Sequence, residues 1–217
     1  MAHQGKPILR IVATASTPRY AAMLVLGIWL MAMLSPLAAA ANENPGPAEI
    51  VVRQMIDSIR KLRTTDDRAP RAKLISSIDD SLALDSLSQQ ALGAQWGKLD
   101  AAGRDQFLHL MRELLEKLAY PRASEFFGSL NIQYGRERSQ GARRVVPTTV
   151  KRSGGGAVSI DYVLQQTRGR WQVVDIVLDG QSLAQNVTGQ IQAVLRQGSY
   201  QGLIAQMKAR LKQQPNS

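Results

Sequence analysis

Residue types that commonly carry out catalysis are sparse in this chain of 217 residues. It has no cysteine, and its two histidines are His3 and His109. A lone histidine on a helix is most often a surface residue, and the acidic pairs Asp66-Asp67 and Asp79-Asp80 lie where helices are predicted to begin and end. Neither these acids nor the histidines have the spacing of a metal site. The sequence therefore favours a function without catalysis, bound metal or cofactor.

Two sequence motifs that would have indicated enzymatic chemistry are missing or incomplete. The chain has no Gly-x-Ser-x-Gly nucleophile elbow. The segment SGGGA at residues 153–157 resembles a phosphate-binding loop only in its glycines, because the lysine and the strand-loop-helix context are absent. We interpret this segment as a hairpin turn.

Basic residues are concentrated in residues 136–152, where Glu137 is the one opposing acid. The whole chain has 27 Lys and Arg against 17 Asp and Glu. Aromatic residues are not interleaved with these cations, which argues against a nucleic-acid partner. Two interpretations stay open: a solvated face that protects a strand edge, or a docking surface for anionic lipid headgroups or an acidic protein. The candidate docking residues are Arg143, Arg144, Lys151 and Arg152.

The first 40 residues have the composition of a secretory signal peptide. Lys6, Arg10 and Arg19 precede an uncharged apolar run at residues 21–34, and small residues follow, with a predicted cleavage near Ala40. We therefore expect a mature domain of residues 41–217 in an exported protein, and an exported chain without cysteine must be stabilised by packing rather than by disulfides.

Helical periodicity dominates the first part of the mature chain, a predicted helical lobe at about residues 48–130. A helix is predicted over residues 48–62, with Asp66 or Asp67 available to cap the next one, and two short helices are predicted up to Gly97. A long helix, capped by Asp100, then runs to Tyr120, where Pro121 ends it or begins another turn.

About four strands are predicted in residues 131–179, and two helices in residues 182–213. Pro147 lies inside the second strand, which predicts an edge or a bulge there. The order of helices, antiparallel strands and helices predicts an α+β fold, with one curved antiparallel sheet packed against helices around an apolar cavity.

The strand at residues 170–178 is apolar on both faces if it alternates regularly. Val173 and Val177 would then share one face with Asp175, and Val174, Ile176 and Leu178 the other. We expect one face to pack on the core and the other on helices or a ligand. Asp175 is expected to accept hydrogen bonds that hold the sheet to a helix.

Two segments together resemble the MlaC, or toluene-tolerance, family. They are ALGAQWGKLDAAGRDQFLHLMRELLEKLAY at residues 91–120 and WQVVDIVLDGQSL at residues 171–183, and a helix containing GSYQGLIAQMKARL follows. The resemblance covers roughly residues 48–212. It implies a periplasmic carrier of phospholipid for an ABC transport system, with no cofactor and no reaction.

The resemblance also implies partners and site residues. The expected partners are phospholipid, an inner-membrane ABC transporter complex with an MCE-domain protein, and an outer-membrane lipoprotein; the carrier is expected to be a monomer. Tyr120 matches the family's tyrosine after the long helix, whereas Gln181 departs from the small apolar residue usual in relatives. The candidate lipid-binding residues are Met111, Leu115, Tyr120, Val146, Val150, Ile160, Tyr162, Leu164, Val174, Ile176 and Gln181.

Two alternatives stay open at the level of the sequence. The chain could carry a hopanoid or another lipid instead of a phospholipid. It could also be a periplasmic adaptor that retains the fold but has a closed cavity, an option kept open by the polar Gln181 at the predicted mouth.

Overall fold

The computed structural model describes residues 44–128, 130–151 and 155–213. The predicted signal peptide and Arg152 lie outside the described residues. The helices are α1 (Pro47–Lys61), α2 (Arg68–Ser81), α3 (Leu84–Leu92), α4 (Ala94–Lys98), α5 (Ala101–Leu114), α6 (Tyr120–Phe127), α7 (Leu183–Gln197) and α8 (Tyr200–Lys212). The strands are β1 (Asn131–Tyr134), β2 (Arg138–Gln140), β3 (Arg143–Lys151), β4 (Ala157–Thr167), β5 (Arg170–Leu178) and β6 (Gln181–Ser182).

The strands form one antiparallel sheet in the order β1-β3-β4-β5-β6, and β2 also pairs with β3. In the described residues, six α-helices precede the sheet and two follow it, which confirms the predicted α+β class. The predicted first strand is divided into β1 and β2, and the two-residue strand β6 was not predicted.

Pro147 explains why the first strand is divided. It lies in the middle of β3 opposite Asp161 of β4, and not at an edge of the sheet. On the other side of β3, its carbonyl accepts a hydrogen bond from the Gly135 N–H at 2.8 Å. Because proline has no N–H to return to that neighbour, the ladder is interrupted there, and the partner strand breaks between β1 and β2.

Strand β5 contains an irregularity that the regular alternation did not predict. Leu164 pairs with Val173, and the next residue back along β4, Val163, pairs with Asp175, so Val174 is an extra residue without a partner. A bulge of this kind reverses the alternation beyond it. The predicted division of faces was therefore wrong: Val173 and Ile176 share the inner face.

The helical part of the chain before the sheet is divided into more helices than predicted. Three helices, α2, α3 and α4, occupy the region where two were predicted. The break after α2 is fixed by the sheet, since the Ala83 N–H donates to the Val173 carbonyl at 3.0 Å. The break after α3 is made by Gly93, whose φ of +52° favours glycine. Asp67 precedes α2, but its side chain makes no capping hydrogen bond.

The chain stays helical from α5 into α6, with a single π turn at Leu115–Ala119 between them. Asp100 caps α5 as predicted, accepting a hydrogen bond from the Gly103 N–H at 2.8 Å. The Tyr120 N–H donates to the Leu115 carbonyl, five residues back. Pro121 has no N–H to offer the preceding turn, and it occupies the first turn of α6, where proline is tolerated.

Buried apolar side chains form two separate groups. The first, which we call the sheet layer, lies between the inner face of the sheet and helices α1, α2 and α6. The second, which we call the helical cluster, joins α3, α5, α7 and α8 around Phe107. Its buried members are Ala91, Leu92, Phe107, Leu110, Ile191, Leu203, Ile204 and Met207.

The described residues contain neither a membrane-spanning helix nor a set of side chains that could bind a metal ion. In this part of the chain, no helix combines the length and apolar character needed to cross a bilayer. Nor do three or more His, Asp or Glu residues come together here as a set that could hold a metal ion. The candidate sites in this part of the chain are the apolar layers, the clefts and the charged surface.

Candidate functional site

The sheet layer gathers most of the predicted lipid-binding residues. Eight of the eleven lie in it or pack against it. The register explains why: cross-strand pairs align the inner positions of β3, β4 and β5 as neighbours. The six that are buried are Tyr120, Val146, Val150, Ile160, Tyr162 and Leu164, and the two partly buried ones are Leu115 and Ile176.

The structure does not bring the other three predicted residues into the sheet layer. Met111 packs against the helical cluster, as do other apolar residues of α5. Val174 is the unpaired, half-buried bulge residue of β5. Gln181 lies exposed in β6, at the turn before α7.

Tyr162 lies at the centre of the layer with 1% of its surface exposed. Burial raises the pKa of its phenol, so this residue is neutral and contributes an aromatic surface. Thr148 lies on β3 directly opposite Ile160 of β4, and it donates its hydroxyl hydrogen to the Ile160 carbonyl at 2.9 Å. The polar atom of Thr148 is therefore satisfied by the sheet.

Tyr120 connects the sheet layer to the carboxyl group of Asp79, a residue that the sequence indicated only as part of a helix end. Its hydroxyl donates a hydrogen bond to Asp79 near the end of α2. Burial raises the pKa of Asp79, and the hydrogen bond from Tyr120 and the charge of Arg112 partly oppose that rise. Ile75 and Asp79 lie one helical turn apart, and this spacing was a signal that Asp79 faces the interior.

A cleft of about 690 Å³ opens on the other side of Asp79. It lies between α2 and a wall made by the start of α3, part of α5 and the β4–β5 turn, and both charge signs line it. Its charged lining residues are Arg68, Arg71, Asp79, Asp80, Asp85, Arg112, Glu116, Arg168 and Arg170. We call it the arginine cleft.

The three predicted docking residues that the structure describes, Arg143, Arg144 and Lys151, do not form one patch. Arg143 and Lys151 are exposed at the two ends of β3, roughly 26 Å apart along a nine-residue strand. Arg144 is half-buried: its guanidinium lies 5.8 Å from the Trp171 ring centroid and its Nε lies 3.4 Å from Glu137 Oε1. Arg144 also donates a hydrogen bond to Ser139. Much of the positive charge of Arg144 is thus matched within the protein.

Asp175 holds the sheet to α7, the role expected from the sequence. Its carboxylate accepts hydrogen bonds from the Ser182 hydroxyl at 2.6 Å and the Ala184 N–H at 3.0 Å. Ser182 in turn caps α7 by accepting from the Gln185 N–H at 3.0 Å. The carboxylate and the cap together fix the angle at which the chain leaves the sheet.

His109 has no catalytic surroundings in the described residues. Its side chain is 73% exposed on α5, and its Nε2 lies 3.7 Å from Glu113 Oε2 one turn further along the same helix. This arrangement is an exposed pair of helix neighbours, of a kind that contributes little to stability.

Comparison with known proteins places the chain in a family. A family model described as the MlaC protein matches residues 49–209, so the chain belongs to the MlaC family. A similar solved structure is the phospholipid-binding protein from Ralstonia solanacearum, determined in complex with a phospholipid. That protein shares 21% identity with this chain, with a TM-score of 0.64 over 78% of this chain and 98% of its own length. At this identity the likeness shows a common fold.

Proposed function

We propose that this protein is a phospholipid-binding shuttle, with the acyl chains of the lipid held in the sheet layer. The observation that carries the proposal is the apolar layer between the sheet and α1, α2 and α6, in a chain that belongs to the MlaC family. The solved structure with the same fold was determined with a phospholipid bound. The proposed role requires no reaction and no cofactor.

The physical need for such a carrier follows from the hydrophobic effect. A phospholipid has about 30 acyl methylenes, and exposing each to water costs about 0.8 kcal/mol. The total of roughly 25 kcal/mol prevents free lipid from crossing an aqueous compartment at a useful rate. A protein layer whose side chains are as apolar as the acyl chains removes most of this cost.

The proposed location and partners of the shuttle rest on the signal-like N-terminus and on the family. The shuttle would work in the periplasm after removal of residues 1–40, as a monomer between two membranes. It would exchange lipid with an inner-membrane ABC transporter complex containing an MCE-domain protein and with an outer-membrane lipoprotein. Arg143 and Lys151, which are both exposed, would contribute to docking at separate points.

A second candidate function is that of an adaptor with the same fold and no cargo. The tight packing of the layer favours it, because Val146, Val150 and Leu164 have no exposed surface. In a carrier, α1, α2 or α6 must move away from the sheet to admit lipid; in an adaptor the layer stays closed. A hopanoid or another lipid as cargo would require the same movement.

Adjacent residues on opposite faces of β5 provide a matched test of the lipid site. Ile176 faces the sheet layer and Val177 the other face, and both are half-buried. Ile176→Trp fills the layer and is expected to lower phospholipid binding at least several-fold, whereas Val177→Trp leaves it unchanged. Binding is measured by native mass spectrometry with added phospholipid, and circular dichroism verifies that both variants fold. Equal binding by the two folded variants would exclude the layer as the acyl site.

A further inference from the structure

The arginine cleft and the sheet layer share a wall. Ile75 and Leu82 line the cleft and also pack against the buried residues of the layer. At the same wall, Asp79 lines the cleft and Tyr120 belongs to the layer. The hydrogen bond between these two side chains therefore joins a polar cleft to an apolar interior.

The charges around the cleft suit a ligand that carries a phosphate. Five arginines and four carboxylates line it, so positive charge is in slight excess, and guanidinium groups match the geometry and charge of phosphate oxygens. Arg168 is engaged with Asp85 at 3.4 Å. Among the described residues, the other four arginines of the cleft take part in no ion pair within 4.0 Å. Arg71 donates a hydrogen bond to the Leu62 carbonyl at 2.9 Å. Arg68, Arg112 and Arg170 are available to a ligand.

The backbone at the opposite wall of the cleft also favours a negatively charged ligand. Helix α3 begins at Leu84 without a side-chain cap, and Leu84, Asp85 and Ser86 line the cleft. The N–H groups of a first helical turn have no partner within the helix and favour negative charge. The cleft thus presents both guanidinium groups and a helix N-terminus.

The segment that carries Tyr120 has an unusual backbone. The π turn at Leu115–Ala119 immediately precedes it, and π turns inside α-helices occur frequently at functional sites. Arg112 lies one turn before this segment on α5 and also lines the cleft. One stretch of helix therefore carries both a cation of the cleft and the tyrosine at the shared wall.

We propose that the arginine cleft binds the phosphate-bearing headgroup of the lipid whose acyl chains occupy the sheet layer. Arg112 is the principal phosphate ligand, and the Tyr120–Asp79 pair separates the two compartments until lipid arrives. This inference rests on the proposed lipid-binding function and adds to it the position and chemistry of the headgroup. A soluble phosphodiester has the same charged group, so the test includes one.

The test compares two lipids with identical acyl chains, dioleoyl phosphatidylglycerol and dioleoylglycerol, on the delipidated chain. The variant is Arg112→Gln, and the matched control is Arg196→Gln near the end of α7. Both arginines are exposed in the wild-type protein. We expect wild type to bind the phospholipid about tenfold more tightly, as a charge-assisted hydrogen bond provides. Arg112→Gln abolishes most of this preference without changing dioleoylglycerol binding, and Arg196→Gln changes neither.

Three outcomes would overturn the inference. If Arg112→Gln weakens both lipids equally, or if wild type shows no preference, the headgroup does not lie in the cleft. If glycerophosphoglycerol binds as tightly as the lipid in an Arg112-dependent manner, the ligand is a soluble phosphodiester. If neither lipid binds wild type, the proposed function fails as well; dioleoylglycerol binding without a headgroup preference would leave it intact.

Discussion

The sheet layer and the helical cluster are both apolar, but their boundaries differ. The helical cluster surrounds Phe107, and its polar neighbours are structural: the Tyr200 hydroxyl donates to the Gly103 carbonyl at 2.6 Å, and Asp100 caps α5. The sheet layer borders a charged cleft, and its boundary tyrosine contacts a carboxyl group whose pKa is raised by burial. A purely structural core does not require such a boundary. Under the proposed function, the helical cluster provides stability and the sheet layer holds the lipid.

The largest expected effect separates these two roles. Phe107 has no exposed surface, so Phe107→Ala should lower the free energy of unfolding by about 3–5 kcal/mol, through lost burial and a new cavity. Chemical denaturation measures this loss. Phospholipid binding per folded molecule should be unchanged, and a parallel loss of affinity would show that the two regions do not have separate roles.

A pair of tyrosines sharpens the comparison. Tyr120→Phe leaves the Asp79 carboxyl without its hydrogen-bond donor, which should cost about 1–3 kcal/mol of stability, and should accelerate lipid exchange. Tyr200→Phe removes a hydrogen bond within the helical cluster, at a cost of about 0.5–1.5 kcal/mol, and should leave exchange unchanged. Transfer of a fluorescent phospholipid to acceptor vesicles measures exchange. Equal exchange rates in the two variants would contradict a separating role for Tyr120.

The pH dependence of stability tests the boundary in a different way. The pKa of Asp79 is raised above its ordinary value of 3.8, mainly by burial, so the folded protein binds a proton that the unfolded chain releases. Stability from this group is therefore greatest below about pH 3.8 and is lost as pH rises through the folded pKa. The unfolding free energy of wild type minus that of Asp79→Asn should fall over this window. A difference that is flat or rises with pH would contradict the assignment.

The smallest expected effect concerns docking. Arg143 and Lys151 lie at opposite ends of β3, so Arg143→Glu and Lys151→Glu should each slow association with anionic vesicles only a few-fold at low salt. Physiological salt should largely remove both effects. Arg196→Glu is the control for charge alone. Equal slowing by all three variants would indicate a general charge effect without specific docking residues.

Much of the fold could be predicted because its signals are local. The Asp100 cap and the anchoring role of Asp175 both depend on residues close in sequence. The candidate lipid residues on β3 and β4 lie at alternating positions, so the pleat of the sheet places them on one face, in one layer. Local patterns were sufficient wherever a regular element faces one core.

The missed features depend on partners distant in sequence. The bulge at Val174 lies beside the point where Leu82 and Ala83 pair with Val173 along β5, and no pattern within the strand indicates it. Asp79 appeared to be part of a helix end because its partner, Tyr120, lies on another helix. Met111 packs against the helical cluster because the apolar face of α5 packs with α3, α7 and α8, and the last two are distant from it in sequence.

The central claim is that the folded chain holds phospholipid in the sheet layer. The most direct measurement is native mass spectrometry of the protein expressed with an export signal and purified without detergent, compared with its mass after organic extraction and after adding phospholipid. We predict a mass increment of one phospholipid per chain, present on purification or restored on addition, and lost in Ile176→Trp but retained in Val177→Trp. A chain that neither carries lipid nor takes up added phospholipid would contradict the claim and leave the adaptor as the better account.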